Sequence, residues 1–500
     1  MNNAKPDRCP VYKKCGGCQL DTSYPDQLRF KQAKVSRLLG RFCKPEPIIG
    51  MEVPYHYRNK VQAAFYTDKR GRIISGVYQS GTHHVVGIDS CRIEDETADR
   101  IITGVRGLLP SFRLTTYNED TGKGFLRHVL VRRGFQTGEV MLVLVTGTPV
   151  FPSKNNFVRS IREKFPEITT IVQNVNNLST NLVLGERQTV LFGKGYIEDV
   201  LCGCRFRISP KSFYQINPVQ TERLYGKAMK FARLKGNETV LDAYCGIGTI
   251  GIVAAKRGAG RVIGVELNGD AVRDAIQNAK LNSLKNIRFY KGDAGEFMTA
   301  CAEEDERPDV VFMDPPRAGS DEAFLRALIK MAPQRVVYIS CNPETMARDL
   351  GFLTRNSGCR VKRLCPVDMF PHTAHIETVV LLSRKMPDDK IEVDLDMDEL
   401  DITSAESKAT YQEIKDYVLK EYGFKVSTLY ISQVKRKCGI IERENYNHSR
   451  KENPHVPQCP KDKEVAIRAA LEHFGAVKKH PQKTDRHITE SIDGYVPVVV

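Results

Sequence analysis

The sequence predicts an α/β protein with a parallel, doubly wound sheet in its second half and a β-rich region in its first half. From about residue 206, short β-branched runs alternate with helical stretches, which is typical of a parallel sheet covered by helices on both faces. Between about 50 and 205, short apolar runs are bounded by Gly, Thr and Asn instead. A chain of 500 residues also favours two or more domains.

Residues 1–205 are predicted to form one region, in which a helix precedes the strands. The helix is expected from Asp26 to Arg41, because Leu28, Val35 and Leu39 recur near helical spacing. This helix, 26–42 at its longest, is a candidate to pack on the doubly wound domain. The expected strands are Val61–Tyr66, His128–Arg132 and Val140–Val145.

Residues 206–384 are predicted to form the doubly wound domain. A helix from Pro218 to Arg233 comes before the first strand. The predicted strands are Thr239–Asp242, Arg261–Glu266, Ile287–Tyr290, Val310–Asp314 and Arg335–Ser340. Because ligands in open α/β sheets bind beyond the carboxyl ends of the strands, functional residues are expected directly after these runs.

The last hundred residues are predicted to be organised separately. Residues 385–408 form an acidic linker or edge strand, residues 409–478 a small helical accessory unit, and residues 479–500 a tail. In the helical unit, Gly423 is suited to end one helix and Ser427 to cap a second. The apolar stripe of the first helix is Tyr411, Ile414, Val418 and Tyr422. The pair resembles a helix-turn-helix, and it either contacts nucleic acid or is a structural appendage.

The charge balance favours a polyanionic partner. Lys and Arg total 75 against 60 Asp and Glu, a net charge of +15, and basic residues cluster at 29–44, 58–72 and 127–133. No apolar run approaches the roughly 20 residues of a membrane span, and the polar N-terminus has no signal-peptide core. We therefore expect a cytoplasmic protein with no membrane partner, in which the 14 cysteines are thiols, metal ligands or nucleophiles rather than disulfides.

A glycine-rich segment, Val240–Gly251, joins the first strand of the doubly wound domain to a helix. Its Gly246-x-Gly-x-x-Gly spacing matches dinucleotide-binding loops, a weak signal by itself. Glu266 ends the next strand, where a carboxylate can accept hydrogen bonds from the ribose of either NAD or S-adenosylmethionine (SAM). Asp242 is placed to hold a cationic amino-acid moiety, and Asp314-Pro-Pro-Arg is common in methyltransferases that act on bases. We therefore expect SAM rather than NAD.

Two residues near the predicted carboxyl edge suit covalent chemistry on a pyrimidine. Cys341 lies in a Ser-Cys-Asn-Pro turn after the last predicted strand, and Glu377 follows in a Phe370–Val379 segment. An arbitrary cysteine is usually a small buried hydrophobe, but a thiolate at this edge could add to carbon 6 of uracil and make carbon 5 nucleophilic. A base must then remove the carbon 5 proton, which suits Glu377.

These motifs together resemble those of the RNA uracil-5 methyltransferases over roughly residues 5–384. The motifs are Lys211–Asn217, Asp242-x-Tyr-Cys-Gly-x-Gly, Asp314-Pro-Pro-Arg, Ser340-Cys-Asn-Pro and His375-Ile-Glu-Thr-Val. The resemblance implies a class I SAM-dependent methyltransferase with a Rossmann-like doubly wound sheet. It also implies that Gln215, Tyr244, Glu266 and Asp314 contact SAM, that Cys341 is the nucleophile and that Glu377 is the base.

The N-terminal Cys9-x5-Cys15-Gly-Gly-Cys18 pattern indicates a metal site, because this segment has no hydrophobic core to order it. Spacing alone favours zinc. The resemblance implies instead a [4Fe-4S] cluster, as in the ribosomal branch of the family, with Cys91 as the fourth ligand. We expect the cluster to organise the strands near Tyr57–Lys60 and Arg127–His128 for RNA binding.

The sequence thus predicts methylation of uracil carbon 5 in 23S ribosomal RNA, without an evident protein partner. The cysteines favour that substrate, because relatives that methylate the T-loop of transfer RNA typically lack them. A transfer-RNA T-loop methyltransferase and a non-catalytic RNA-binding assembly factor on the same fold are the alternatives. Many ribosomal relatives begin with a small β-barrel domain, which we do not expect here because only eight residues precede Cys9.

Overall fold

The computed structural model describes residues 9–79, 82, 84–180, 182–304, 307–384, 411–438 and 459–474. Contacts divide the chain near residue 389 into two compact units. The acidic segment predicted at 385–408 and the tail at 479–500 lie outside the described residues. None of the helices in the described ranges is both long and apolar enough to cross a membrane.

The first part of the larger unit is built on a seven-stranded sheet in the order β3-β2-β1-β4-β5-β6-β7, followed by a two-stranded sheet of β8 and β9. Its strands are β1 Lys60–Thr67, β2 Ile73–Tyr78, β3 Val85–Gly87, β4 Leu126–Arg133, β5 Val140–Thr146, β6 Ile168–Val175, β7 Arg187–Phe192, β8 Ile197–Leu201 and β9 Cys204–Ile208. Its helices are α1 Tyr12–Cys15, α2 Tyr24–Leu39, α3 Glu96–Leu108 and α4 Lys154–Lys164, with a 3₁₀ turn at Pro110–Phe112. All three strands predicted for this region are therefore confirmed.

Side-chain alternation gives the seven-stranded sheet two different faces. Along β1, Val61, Ala63 and Phe65 enter a hydrophobic core that also contains residues of α3 and α4. The intervening β1 residues point to the opposite face. On that face Leu130, Met141 and Val143 of β4 and β5 join the core of the doubly wound sheet. The two sheets therefore share one core, and the boundary predicted at 205/206 stays a prediction.

The doubly wound sheet also has seven strands, in the order β12-β11-β10-β13-β14-β16-β15. Its strands are β10 Thr239–Ala243, β11 Arg261–Glu266, β12 Ile287–Lys291, β13 Val310–Met313, β14 Arg335–Ser340, β15 Cys359–Val367 and β16 Glu377–Arg384. Its helices are α5 Pro218–Ala232, α6 Thr249–Lys256, α7 Gly269–Leu281, α8 Ala294–Glu303, α9 Glu322–Met331 and α10 Pro343–Asn356. The predicted doubly wound α/β fold is confirmed.

The sheet is mixed, because its last two strands depart from the parallel order. Strands β10 to β14 are parallel to one another, whereas β16 is antiparallel to both β14 and β15. The connection 368–376 between β15 and β16 contains no crossover helix, which a parallel pair would require. This hairpin brings the start of β16 to the carboxyl edge of the sheet.

Helix α2, predicted at 26–41, spans Tyr24–Leu39 and packs on the doubly wound sheet. Its side chains Val35 and Leu39 are fully buried in the core formed by that sheet with α8, α9 and α10. Ser23 caps the helix by accepting a hydrogen bond from the Asp26 N–H. The N-terminal segment is thereby attached to the half of the unit that carries the predicted catalytic residues.

The second unit contains three described helices, α11 Tyr411–Tyr422, α12 Thr428–Lys437 and α13 Lys461–His473. Gly423 has a positive φ of 71° directly after α11, and Ser427 accepts a hydrogen bond from the Tyr430 N–H, as the sequence predicted. Ile414 and Val418 are fully buried against residues of α12 and α13. The third helix was not predicted, and it completes a small helical core rather than a two-helix motif.

Candidate active site

The loop after β10 is shaped by a buried carboxylate. Asp242 is fully buried, and its Oδ2 accepts a hydrogen bond of 2.7 Å from the Gly251 N–H in α6. Burial raises the pKa of Asp242 to about 8, against the lowering effect of that N–H. Its Oδ1 has no hydrogen-bond partner among the described residues. Asp242 therefore braces the glycine loop, and one oxygen remains to accept a bond from a bound group.

The glycine loop leaves room for a ligand at its first turn. Gly246 has a positive φ of 56°, and no heavy atom of the described residues lies within 4 Å of the place where a Cβ would stand. Glu266, at the end of β11, accepts hydrogen bonds from the Gly246 N–H at 3.0 Å and from the Asn268 N–H at 2.8 Å. Loop and carboxylate thus form one edge of a cradle suited to the adenosine of SAM.

Tyr244 forms another side of the same cradle. Its φ of +64° is unusual for a residue with a side chain, and it turns the ring toward Phe324, with ring centroids 5.3 Å apart. The hydroxyl donates to Ser320 Oγ at 3.4 Å. Burial raises the pKa of Tyr244 to about 12, so the phenol stays neutral. A strained backbone of this kind is often kept at a ligand site.

The motif Lys211–Asn217 lies in the connection between β9 and α5. Gln215 is buried, and its carbonyl accepts a hydrogen bond from Asn59 Nδ2 at 3.4 Å. Asn217 caps α5 by accepting from the Gln220 N–H. Phe213, two residues before Gln215, keeps 69% of its surface exposed. Sequence reasoning missed Phe213, although an exposed ring inside a ligand-binding motif is suited to stacking on an unpaired base.

Strand register brings the predicted nucleophile and base together. Cys341 follows β14, Glu377 begins β16, and these neighbouring strands pair Ser340 with Thr378. Asp314 follows β13, which pairs with β14 on its other side. The three groups are close enough that the Glu377 and Asp314 carboxylates both raise the pKa of the Cys341 thiol.

The local electrostatics keep protons on this cluster. Burial first, and then the Glu377 carboxylate, raises the pKa of Cys341, whereas the Arg317 guanidinium lowers it. Burial raises the pKa of Asp314 to about 7, and burial together with Asp314 raises the pKa of Glu377 well above its usual value. Buried carboxyl groups this close cannot both ionise readily. Cys341 is therefore a thiol near neutral pH before substrate binds, a point that the sequence left open.

Arg317 also belongs to the candidate site. From the sequence it was named only as the last residue of the Asp-Pro-Pro-Arg motif and was given no role. Its guanidinium lies close enough to the Cys341 thiol to lower the pKa of that thiol, which favours the thiolate. Its carbonyl accepts hydrogen bonds from Asn342 Nδ2 at 3.0 Å and from Thr345 Oγ1 at 3.2 Å. The Asp-Pro-Pro-Arg loop is therefore tied to the turn that carries the nucleophile.

The segment 368–376, which leads into Glu377, is held by α2. The ammonium of Lys31 forms an ion pair with Asp368, both side chains being 0% exposed, and also donates to the Phe370 carbonyl at 2.9 Å. The Tyr24 hydroxyl donates to Asp368 at 2.9 Å. Gln27 accepts a hydrogen bond from the His372 N–H at 2.9 Å. The N-terminal helix thus positions the start of β16, where the predicted base lies.

Four cysteines predicted as metal ligands line one cavity of about 320 Å³. They are Cys9, Cys15, Cys18 and Cys91. Burial, together with the neighbouring thiolates of Cys15 and Cys9, raises the pKa of Cys18 to about 11, so these three cysteines lie close together. In the described ranges, however, no three His, Cys, Asp or Glu side chains are arranged to hold a metal ion. The structure therefore gathers the predicted ligands around one space without forming a compact single-ion site.

Comparison with known proteins identifies a family. The family model described as tRNA (Uracil-5-)-methyltransferase matches residues 156–385. A Bacillus cereus protein described as an uncharacterized RNA methyltransferase is 44% identical over 386 residues, covering 76% of this chain and 83% of its own length. One from Halalkalibacterium halodurans is 45% identical over 395 residues, covering 77% and 86%.

A solved structure extends this similarity to the fold. The Pyrococcus abyssi tRNA (uracil-54, C5)-methyltransferase, in complex with S-adenosyl-L-homocysteine, is 30% identical to this chain with a TM-score of 0.61. The match covers 72% of this chain and 84% of the Pyrococcus chain. It therefore extends well beyond the segment that the family model matches.

Proposed function

Because this chain belongs to the RNA uracil-5 methyltransferase family and is a SAM-dependent enzyme, we propose that it methylates a uridine of 23S ribosomal RNA at carbon 5. In this proposal Cys341 is the nucleophile and Glu377 is the base. The observation that carries it is the pairing of β14 with β16, which places the thiol and the carboxyl group at one sheet edge. The proposed reaction needs a nucleophile and a separate base for the carbon 5 proton, and Glu377 begins the strand next to the one that Cys341 follows.

The proposed reaction begins at the thiol. Cys341 gives its proton to water as its sulfur bonds to carbon 6 of the uracil, and the positive charge of Arg317 favours the thiolate that develops. The electron pair of the carbon 5–carbon 6 double bond then becomes available at carbon 5. SAM, when bound, would supply an electrophilic methyl group for that carbon, with S-adenosylhomocysteine as the leaving group. Glu377 takes the carbon 5 proton, the double bond re-forms, and the carbon 6–sulfur bond breaks.

Glu377 must be unprotonated to take that proton. The raised pKa values of Glu377 and Asp314 indicate that the pair holds a proton in the free enzyme. A high pKa makes Glu377 a stronger base once that proton has left. Entry of the target uridine is therefore proposed to be accompanied by proton loss from the site.

The proposed SAM-binding residues surround the glycine loop. Glu266 would accept hydrogen bonds from ribose hydroxyls, and Tyr244 would form an apolar wall beside the cofactor. Gln215 and Asp314 would contact its amino-acid end and position the methyl group near Cys341. The open space at Gly246 and the unpartnered Oδ1 of Asp242 support this assignment.

We further propose that the four N-terminal cysteines hold a [4Fe-4S] cluster. Four thiolates are the usual cluster complement, and all four line one cavity. The irons of a cubane occupy separate corners, so its thiolates stand further apart than the ligands of a single tetrahedral zinc ion. Within the described residues, no three potential ligands are close enough together to hold one metal ion, and this spacing favours a cluster over zinc.

A transfer RNA is the second candidate substrate, because the Pyrococcus neighbour is named as a tRNA (uracil-54, C5)-methyltransferase. The experiment is incubation of the protein with methyl-labelled SAM and either 23S ribosomal RNA or transfer RNA, followed by mapping of the labelled nucleotide. We expect label at carbon 5 of a 23S uridine. Label in transfer RNA alone would replace the substrate assignment, and RNA binding without transfer would favour an assembly factor.

The matched pair of variants for this assay is Cys341→Ala and Cys359→Ala. Cys359 begins β15 at the opposite edge of the same sheet and is also half-buried. We expect Cys341→Ala to abolish methyl transfer and Cys359→Ala to retain it. Equal loss in both variants would indicate a general effect on folding rather than loss of a nucleophile.

A further inference from the structure

A cavity of about 820 Å³ opens on the face of the seven-stranded sheet opposite to α3 and α4. Strand alternation builds it, because Lys60, Gln62 and Ala64 of β1 line the cavity while the residues between them enter the core. Across the β1–β4 register, Ala64 pairs with His128, which also lines it. We call this space the β-sheet cavity.

Two buried polar groups at the β-sheet cavity have no hydrogen-bond partner among the residues that the structure describes. His128 is only 6% exposed, and its Nδ1 forms no hydrogen bond with any described residue. Arg58 Nε is likewise buried and unpartnered within the described part of the chain. Buried polar groups are nearly always hydrogen-bonded, and leaving one unpaired destabilises the fold. These atoms therefore indicate a ligand that pairs with them when it is bound.

The cationic side chains around the cavity differ in whether their charge is already neutralised by an ion pair within the protein. Arg127 is 3% exposed and forms a two-point ion pair with Glu119 at 2.7 and 2.8 Å, and it also donates to the Leu178 carbonyl at 2.9 Å. Its charge is thus neutralised within the protein, so Arg127 is not among the cations that we assign to a ligand. Arg58 and Lys60 remain as cations, with Glu94 as the other acidic group lining the cavity.

The remaining lining suits a flat, polar ring. Tyr78 lies edge-on to the His128 ring, with centroids 6.0 Å apart, and both line the cavity. Gln62 and Gln79 supply amide donors and acceptors at its rim. Aromatic rings, amides and cations in one concave site are the combination that proteins use for unstacked nucleotides. The volume is within the usual range for ligand pockets and far larger than a single anion requires.

The β-sheet cavity adjoins the catalytic half of the unit. Ile216 lines it, and the neighbouring Gln215 belongs to the motif proposed to contact SAM. The Ile216 carbonyl accepts a hydrogen bond of 3.0 Å from the Asn59 N–H, which lies between the cavity residues Arg58 and Lys60. An RNA strand whose target base enters the catalytic site would therefore have flanking nucleotides close to the cavity.

We propose that the β-sheet cavity binds a second, unstacked nucleotide of the RNA substrate, one that flanks the target uridine. This proposal rests on the proposed function and adds a recognition site to it. The base lies against Tyr78 and pairs with His128 Nδ1, while Arg58 and Lys60 contact the adjoining phosphates. Selection of the target uridine then depends on a neighbouring nucleotide as well as on the target base.

The test variant is His128→Leu, because its effects on folding stability and on RNA binding distinguish a structural role of His128 from a binding role. Replacing an unpaired buried polar group with an apolar one leaves the folded state as stable or more stable. Binding of the 23S RNA fragment with the mapped uridine should nevertheless weaken at least tenfold. Lys60→Met should weaken binding and reduce the slope of log affinity against log salt by about 1. Lys164→Met, on the exposed face of α4, is the control and should change neither.

The decisive measurement is a scan in which each nucleotide flanking the target is replaced by an abasic residue. One position should weaken binding to the wild type by at least tenfold and have no further effect on His128→Leu. If His128→Leu binds every fragment as the wild type does, the proposal is wrong while the methylation assay still stands. If no RNA is methylated, yet affinity for 23S fragments still depends on His128 and Lys60, the proposed function fails. The cavity is then a nucleotide-binding site, but its role beside a target uridine is overturned.

Discussion

The buried ion pair between Lys31 and Asp368 gives the sharpest prediction about how the fold supports the catalytic base. Both side chains are 0% exposed, so the change Lys31→Met leaves a buried carboxylate whose remaining side-chain donor among the described residues is the Tyr24 hydroxyl at 2.9 Å. Removing one partner of a buried pair costs about 3–5 kcal/mol. We expect the free energy of unfolding to fall by that amount in a urea titration followed by circular dichroism.

The same change should also slow catalysis, because Asp368 begins the segment that leads to Glu377. A misplacement of about 1 Å at a reacting group can reduce the rate by about 10²-fold. We expect kcat to fall by up to that factor, with SAM binding preserved. Methyl transfer to the mapped RNA under saturating SAM measures the first quantity, and equilibrium binding of SAM measures the second.

A charge-removing double variant separates the buried pair from general packing. Lys31→Met combined with Asp368→Asn removes both charges and should recover most of the lost stability, since a buried pair is worth little against uncharged residues of similar size. Lys34→Met, which breaks the partly exposed Lys34–Glu344 contact at 3.1 Å, is the control and should cost about 1 kcal/mol or less. The reasoning is refuted if Lys31→Met unfolds within about 0.5 kcal/mol of the wild type, a change typical of surface sites.

Three further predictions concern the chemistry. Burial raises the pKa of the Cys341 thiol, so the thiolate fraction should increase about tenfold per pH unit while the pH is below that pKa. The single-turnover rate, measured by rapid quench, should therefore rise between pH 6.5 and 8.5. A rate that does not change with pH would contradict the assignment of Cys341 as the nucleophile. Glu377→Gln should slow turnover by about 10²–10⁴-fold, since the carbon 5 proton then has no acceptor. A methylated RNA–enzyme adduct should accumulate and appear as a shifted band on a denaturing gel. Unimpaired release of product would exclude Glu377 as the base. Cys15→Ala should weaken RNA binding while calorimetry shows unchanged SAM binding, and equal RNA affinity with and without the cluster would exclude its proposed role in organising the RNA-binding strands.

The doubly wound fold could be predicted because its signals are local. Each of the strands β10 to β14 is a short apolar run, and the capping residues Asn217 and Asn342 lie directly before α5 and α10. The antiparallel end of the sheet was harder to foresee. The segment that carries the predicted base, Glu377, was recognised as a motif and not as a strand. Its placement between β14 and β15 depends on strand pairing that the local sequence does not encode.

The candidate site shows the same division. Cys341 and Glu377 stood out by residue type and motif, and the strand register brings them together. Lys31 and Asp368 are separated by 337 positions, and the local sequence around either residue does not indicate that they form a pair. Their pairing follows from the packing of α2 on the doubly wound sheet, which no periodicity predicts. Likewise, the unpaired nitrogen of His128 is visible only once β1, β2 and β4 are assembled.

The most direct test of the mechanism is covalent capture of the target base. RNA that carries 5-fluorouridine at the mapped position should stay bonded to the enzyme after incubation with SAM, because fluorine cannot leave as a proton does. Proteolysis and mass spectrometry should then locate the methylated fluorouridine on the peptide that contains Cys341. Capture on a different residue, or undiminished capture by Cys341→Ala, would contradict the assignment of the nucleophile.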